Sequence, residues 1–157
     1  MNDRLNVYLR LGRVSNLPTV WSNAMAGAVL CGAPLGGLMG AGAVALSALA
    51  LSLFYVGGMW LNDAFDAQID AQERATRPIP LGEIERNTVF AGGAGMLALG
   101  VLLAWTQGAW ALAAGVALAA AVVAYDWLHK RTVFSPVIMG ATRFFCYMLP
   151  AAALGAF

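Results

Sequence analysis

The 157 residues combine a 61% hydrophobic fraction and a mean hydropathy of +0.72 with only 11% charged residues, against about 45–50% apolar and about 25% charged in soluble domains. A soluble globule is excluded. A formal charge of +1 supplies no field to hold nucleic acid or to steer an anionic partner, so nucleic-acid binding is excluded too.

Residues 14–62 and 87–125 contain no Asp, Glu, Lys or Arg. Each run is about twice the roughly 20 residues that cross a bilayer as helix, so each predicts a helical hairpin. In chain order, residues 1–13 set charges among Leu5, Val7, Tyr8, Leu9 and Leu11, which predicts a short helix at the membrane interface. Span one covers residues 17–34, a turn holds Pro34, Gly36, Gly37 and Gly40, and span two covers 43–61. Residues 62–86 form the polar heart of the chain. Spans three (89–105) and four (110–128) are joined at Thr106-Gln107-Gly108, and a fifth runs from 133 to the end. The expectation is an all-α, polytopic transmembrane helical bundle of about five spans. Ala24-Met25-Ala26 has the small-residue pattern of a signal-peptide cleavage site, but the charged lead is long and the apolar run continues past it, so a retained span is expected.

Arginines precede span one, lie between spans two and three (Arg74, Arg77, Arg86) and, with Lys130, lie between four and five (Arg131). The opposite turns carry none, so the N-terminus and both charged loops are expected in the cytoplasm. Trp60, Trp105, Trp110 and Trp127 fall at predicted span ends as an aromatic belt, and Gly92, Gly93, Gly95 and Gly100 are read as close helix contacts. Cys31 and Cys146 lie in apolar segments without pairing or metal spacing and are read as small hydrophobes.

On a helix, the spacing of Asp63, Asp66 and Asp70 places three carboxylates on one face, with Asn62 beside Asp66. Three like charges there repel, and a cation relieves the repulsion. Oxygen-only donors point to a hard ion such as Mg²⁺, held with substrate phosphates. Arg74 and Arg77 then offer charge-assisted donors for phosphate oxygens. The spacing equally admits a solvated loop in which the two arginines pair the carboxylates themselves.

The longer string Asn62-Asp63-x-x-Asp66-x-x-x-Asp70, Arg74, Arg77-Pro78-Ile79-Pro80-x-Gly82 resembles the first aspartate-rich motif of the UbiA superfamily of intramembrane prenyltransferases. Leu9-Arg10-Leu11-x-Arg13 with Pro18 and Asn23 is similar to that family's entry into its first helix. The stretch from Tyr125 to Lys130 is similar to its tyrosine and lysine element, with His129 where the lysine usually stands and Lys130 one residue later. Residues 135–143 resemble bacterial UbiA-like proteins of the EboC type. The resemblance implies transfer of a polyprenyl group from an allylic diphosphate to an acceptor, commonly aromatic, in a bacterial inner membrane with the site on the cytoplasmic side. It implies Asp63 and Asp66 as catalytic residues, Mg²⁺ on Asp63, Asp66 and Asp70 with Asn62 assisting, and Asn62, Arg74, Arg77, Tyr125, Lys130 and Arg143 on the substrates. It also implies about nine helices and a second aspartate-rich motif. Residues 1–157 are therefore expected to be a single transmembrane helical domain that lacks its C-terminal helices and depends on them or on a second chain.

His129 is a lone histidine and a possible base. Arg143 lies inside span five, where a charge is costly, so it is expected to face the bundle interior and meet an acidic or phosphate partner. A CDP-alcohol phosphotransferase is disfavoured because that family's Asp-Gly and Ala-Arg pairs are missing around Asp63 and Asp70. A transporter or a non-catalytic UbiA-like subunit is the remaining alternative, and transport would call for more ionisable residues at mid-span.

Overall fold

A computed structural model of the chain describes residues 3–32 and 37–155, and over these residues it is all helical. The elements are α1 (Asp3–Gly12), a 3-10 turn (Val14–Asn16), α2 (Leu17–Leu30), α3 (Gly37–Glu73), α4 (Arg86–Trp105), α5 (Ala109–Leu128) and α6 (Ser135–Ala153). Pro34 and Gly36 of the expected turn lie outside the described residues. Gly37 and Gly40 stand in the first turn of α3 rather than in a loop.

The acidic segment is not a loop either. Span two continues through Asn62 to Glu73 as one helix of 37 residues, about 55 Å long against a hydrocarbon core of about 30 Å. Residues 62–73 include neither Gly nor Pro, so nothing local interrupts the backbone ladder when the side chains turn polar. The final turn closes through the Arg74 amide, which donates to the Asp70 carbonyl at 2.8 Å.

Among the described residues, three helices are long and apolar enough to cross a membrane: Met39–Glu73, Arg86–Trp105 and Ala109–Leu128. The other two expected spans are helices of a different character. α2 has 14 residues, about 21 Å, and α6 carries Arg143 and Pro150 within its 19 residues. α2 packs on α3 and α6, and α6 packs on α5.

The main core joins these helices around Phe54, Leu51, Leu97, Leu118 and Leu149. A second cluster docks Val7 and Leu11 of α1 onto Ala64 of α3 and Val89 of α4, while Leu5, Tyr8 and Leu9 stay exposed. A short helix is thus found where the sequence predicts one at the N-terminus. α3 and α4 approach closely at Gly57 and Gly93, where a Cβ on either would lie 2.9 Å from the other's carbonyl oxygen. Gly95 differs from the sequence reading, since a Cβ there meets nothing. Trp105, Trp110 and Trp127 are exposed as a belt requires. Trp60 is not at a helix end, because α3 continues past it, and it stacks on Tyr8 at 5.6 Å.

Candidate functional site

Asp63, Asp66 and Asp70 project from α3 and are 6%, 6% and 1% exposed. Burying three carboxylates is costly unless cations meet them, and the chain brings those cations from three separate segments. Arg77 comes from the loop after α3. That loop is curled by the Leu81 amide donating to the Arg77 carbonyl and the Gly82 amide donating to the Ile79 carbonyl, each at 3.0 Å. Gly82 takes φ +73° there, which a glycine adopts without a Cβ penalty. Arg77 Nη1 donates to Asp63 Oδ1 at 2.6 Å and to Asp70 Oδ2 at 2.7 Å.

Arg13 comes from the other side of the sequence. It sits in the left-handed region at φ 43° between α1 and the 3-10 turn, a conformation uncommon for a residue with a side chain. Its Nη2 lies 3.6 Å from Asp63 Oδ1. From the end of α5, Lys130 Nζ and His129 Nε2 reach Asp66 Oδ2 at 2.9 and 3.3 Å. His129 is held in place by stacking on Tyr125 at 5.2 Å between ring centres.

Beside this charged end lies a cavity of about 480 Å³, within the range of small-molecule sites. Leu51, Phe54, Leu118 and Val122 line its apolar part, and Asn16, Tyr125, Asp126 and Arg143 are among its polar residues. The two regions are joined by Asn62 Nδ2, which donates to Asp126 Oδ1 at 3.2 Å, and by His129, whose Nδ1 lies 3.2 Å from the Tyr125 and Asp126 carbonyl oxygens.

The structure thus gathers Asp63, Asp66, Asp70, Arg77 and Lys130 at one end of the bundle, and places Tyr125 and Arg143 in the cavity. Asn62 bridges the two. Arg74 is exposed and makes no ion pair among the described residues. Arg143 likewise has no acidic partner among the described residues, although it lines the cavity as an inward-facing charge should. Sequence reasoning gave Arg13 a part in topology and in the family-like entry to the first helix, and put Asp126 on the side of the aspartate cluster, but assigned neither a role at the site. The available signal for Asp126 was its position as the charge that ends the uncharged run 87–125, next to Tyr125.

Among the described residues no three His, Cys, Asp or Glu side chains are gathered closely enough to hold a metal ion. Asp63 and Asp70 close on Arg77, while Asp66 turns to Lys130, so of the pairing admitted by the spacing only the Arg77 part is found, on buried helical carboxylates rather than in a solvated loop. The donor set nevertheless has the chemistry of a hard-ion site. Its atoms are carboxylate oxygens, and the buried Asp70 Oδ1 has no hydrogen-bond partner.

A sequence profile of the UbiA prenyltransferase family matches residues 13–157. Digeranylgeranylglyceryl phosphate synthase of Methanopyrus kandleri is 29% identical over 94% of this chain and 53% of its own length. The mitochondrial 4-hydroxybenzoate polyprenyltransferase of Bos taurus is 32% identical over 88% of this chain and 38% of its own. A solved structure of digeranylgeranylglyceryl phosphate synthase superposes with a TM-score of 0.87 at 25% identity, covering 97% of this chain and 54% of that one. The chain spans about half the length of the synthases it matches.

Proposed function

This chain belongs to the UbiA prenyltransferase family, and we propose that the protein carrying it transfers a polyprenyl group from an allylic diphosphate to a membrane-soluble acceptor. The observation that carries the reading is the buried Asp63, Asp66 and Asp70 cluster, met by Arg13, Arg77 and Lys130, beside an apolar cavity. Cations already aimed at carboxylates are donors that a diphosphate can take over in their place. Arg77, Lys130 and Arg13 bind phosphate oxygens in this proposal, and the lining around Leu51, Phe54 and Leu118 receives apolar parts of the substrates and keeps water from the reacting carbon. Mg²⁺ held by Asp63, Asp66 and Asp70 would supply positive charge to the departing diphosphate. The names of the relatives share prenyl groups and differ in the acceptor, a glyceryl phosphate or a hydroxybenzoate. The rest of the site is assigned to helices outside residues 1–157 or to a second polypeptide.

The test is prenyl transfer by the full-length protein in lipid, with Mg²⁺, geranylgeranyl diphosphate and either 4-hydroxybenzoate or a glyceryl phosphate lipid with a free hydroxyl. Asp63→Ala and Asp66→Ala are expected to lower turnover by about a hundredfold or more at unchanged expression. Near wild-type turnover in both would remove the cluster from the reaction. The proposed orientation puts the N-terminus and residues 62–86 in the cytoplasm. Cysteines placed at the exposed Gln72 and Thr106 and labelled in intact cells with an impermeant reagent should react only at position 106, and the reverse pattern would invert the topology.

A further inference from the structure

Arg13 is the one non-glycine residue with a positive φ among the described residues, at φ 43° and ψ 45°. A left-handed conformation is unfavourable for a residue with a side chain, and it persists where the surroundings over-determine it. Three hydrogen bonds do so here. The Asn16 amide donates to the Arg13 carbonyl at 3.0 Å, the Tyr55 hydroxyl donates to the same oxygen at 3.4 Å, and Asn16 Nδ2 donates to the Tyr55 hydroxyl at 3.1 Å. They close a ring around one carbonyl. On the other side of Arg13 the chain runs close against α3, where a Cβ on Gly12 would lie 3.0 Å from Val56 Cγ1.

This anchoring reaches the charged cluster. Tyr55 and Asp63 are eight positions apart on α3, about 12 Å along its axis. Arg13 spans that interval, with its carbonyl at Tyr55 and its Nη2 3.6 Å from Asp63 Oδ1. The backbone sets where the guanidinium points, because returning φ to the usual helical region would turn the Cα–Cβ bond by roughly 100° relative to α1. We propose that Tyr55 is a positioning residue: its hydroxyl, steadied by Asn16, holds Arg13 in the left-handed conformation and so aims the guanidinium at the diphosphate end of the site. The diphosphate as the anion served rests on the prenyl-transfer reading above. Loss of the hydroxyl therefore weakens diphosphate binding through Arg13 and by no other route.

Tyr55→Phe keeps the ring and removes only the hydroxyl. Binding of unreactive geranylgeranyl thiodiphosphate with Mg²⁺ is measured on the full-length protein in lipid nanodiscs, for wild type, Tyr55→Phe, Arg13→Gln and the double variant. Tyr55→Phe is expected to weaken binding about threefold to tenfold, the worth of one hydrogen bond. In the Arg13→Gln background the same change should alter binding by less than about twofold. Unchanged binding in Tyr55→Phe overturns the proposal, and so does an equal loss in both backgrounds, which would put the hydroxyl on the ligand itself. A second readout needs no ligand. Arg13 is exposed, and trypsin cuts after it when the turn opens locally. Tyr55→Phe should raise that cleavage about threefold or more relative to cleavage after the exposed Arg74, and an unchanged ratio overturns the anchoring. If wild type binds no thiodiphosphate, the prenyl-transfer reading fails, while the cleavage ratio still decides whether Tyr55 holds Arg13.

Discussion

Between Leu51 and Leu61, α3 is held by shape, with Leu51, Phe54 and Leu61 in the apolar core and Gly57 against Gly93 of α4. From Asn62 to Glu73 the same helix is held by charge. Ala64 keeps an apolar footing under α1, but Asp63, Asp66 and Asp70 are fixed by Arg13, Arg77 and Lys130 from distant parts of the chain. The difference teaches what each half can do. Packing contacts at van der Waals distance have no competitor for their partners, so the middle of the helix is a fixed scaffold. Ion pairs can exchange one partner for another, so the charged half can receive a ligand that carries its own charges.

The largest effect is expected where a single nitrogen serves two acids. Arg77→Met leaves Asp70 with no cation and Asp63 with only Arg13 at 3.6 Å. Breaking a buried pair this way costs about 3–5 kcal/mol. A thermal unfolding midpoint in detergent should fall clearly, and the double variant Arg77→Met/Asp70→Asn should recover part of the loss. An unchanged midpoint in the single variant would mean that charge does not hold this half.

The packed half should respond less. Gly93→Val places a Cβ 2.8 Å from Leu61 Cγ and 2.9 Å from the Gly57 carbonyl oxygen, an overpacking cost of about 1–3 kcal/mol. Gly95→Ala, whose Cβ meets nothing, should be neutral or up to about 1 kcal/mol stabilising. Equal midpoints for the two variants would deny that close backbone approach distinguishes these glycines.

The smallest effect sharpens the meaning of charge in this protein. Arg10 pairs Glu83 at 3.3 Å with side chains 51% and 33% exposed, and Arg10→Ala should cost less than about 1 kcal/mol. A loss as large as that of Arg77→Met would show that burial is not what separates the two pairs.

The sequence by itself determined the membrane class, the helices α4 and α5, the Gly108 break between them at φ +116°, and the one face shared by Asp63, Asp66 and Asp70. These are local properties: hydropathy over about 20 residues decides insertion, and the 3.6-residue period decides which side chains share a face. The tertiary structure alone decided the rest. That α1 covers the polar end of α3 and that Arg13 and Lys130 reach its carboxylates is not legible locally, because those partners lie far from Asp63–Asp70 in the sequence. Arg13 and Asp63 are 50 positions apart, and Asn62 and Asp126 are 64. A run of residues cannot show whether a charge will be buried beside an opposite one or left facing a cavity, because that depends on what folds against it.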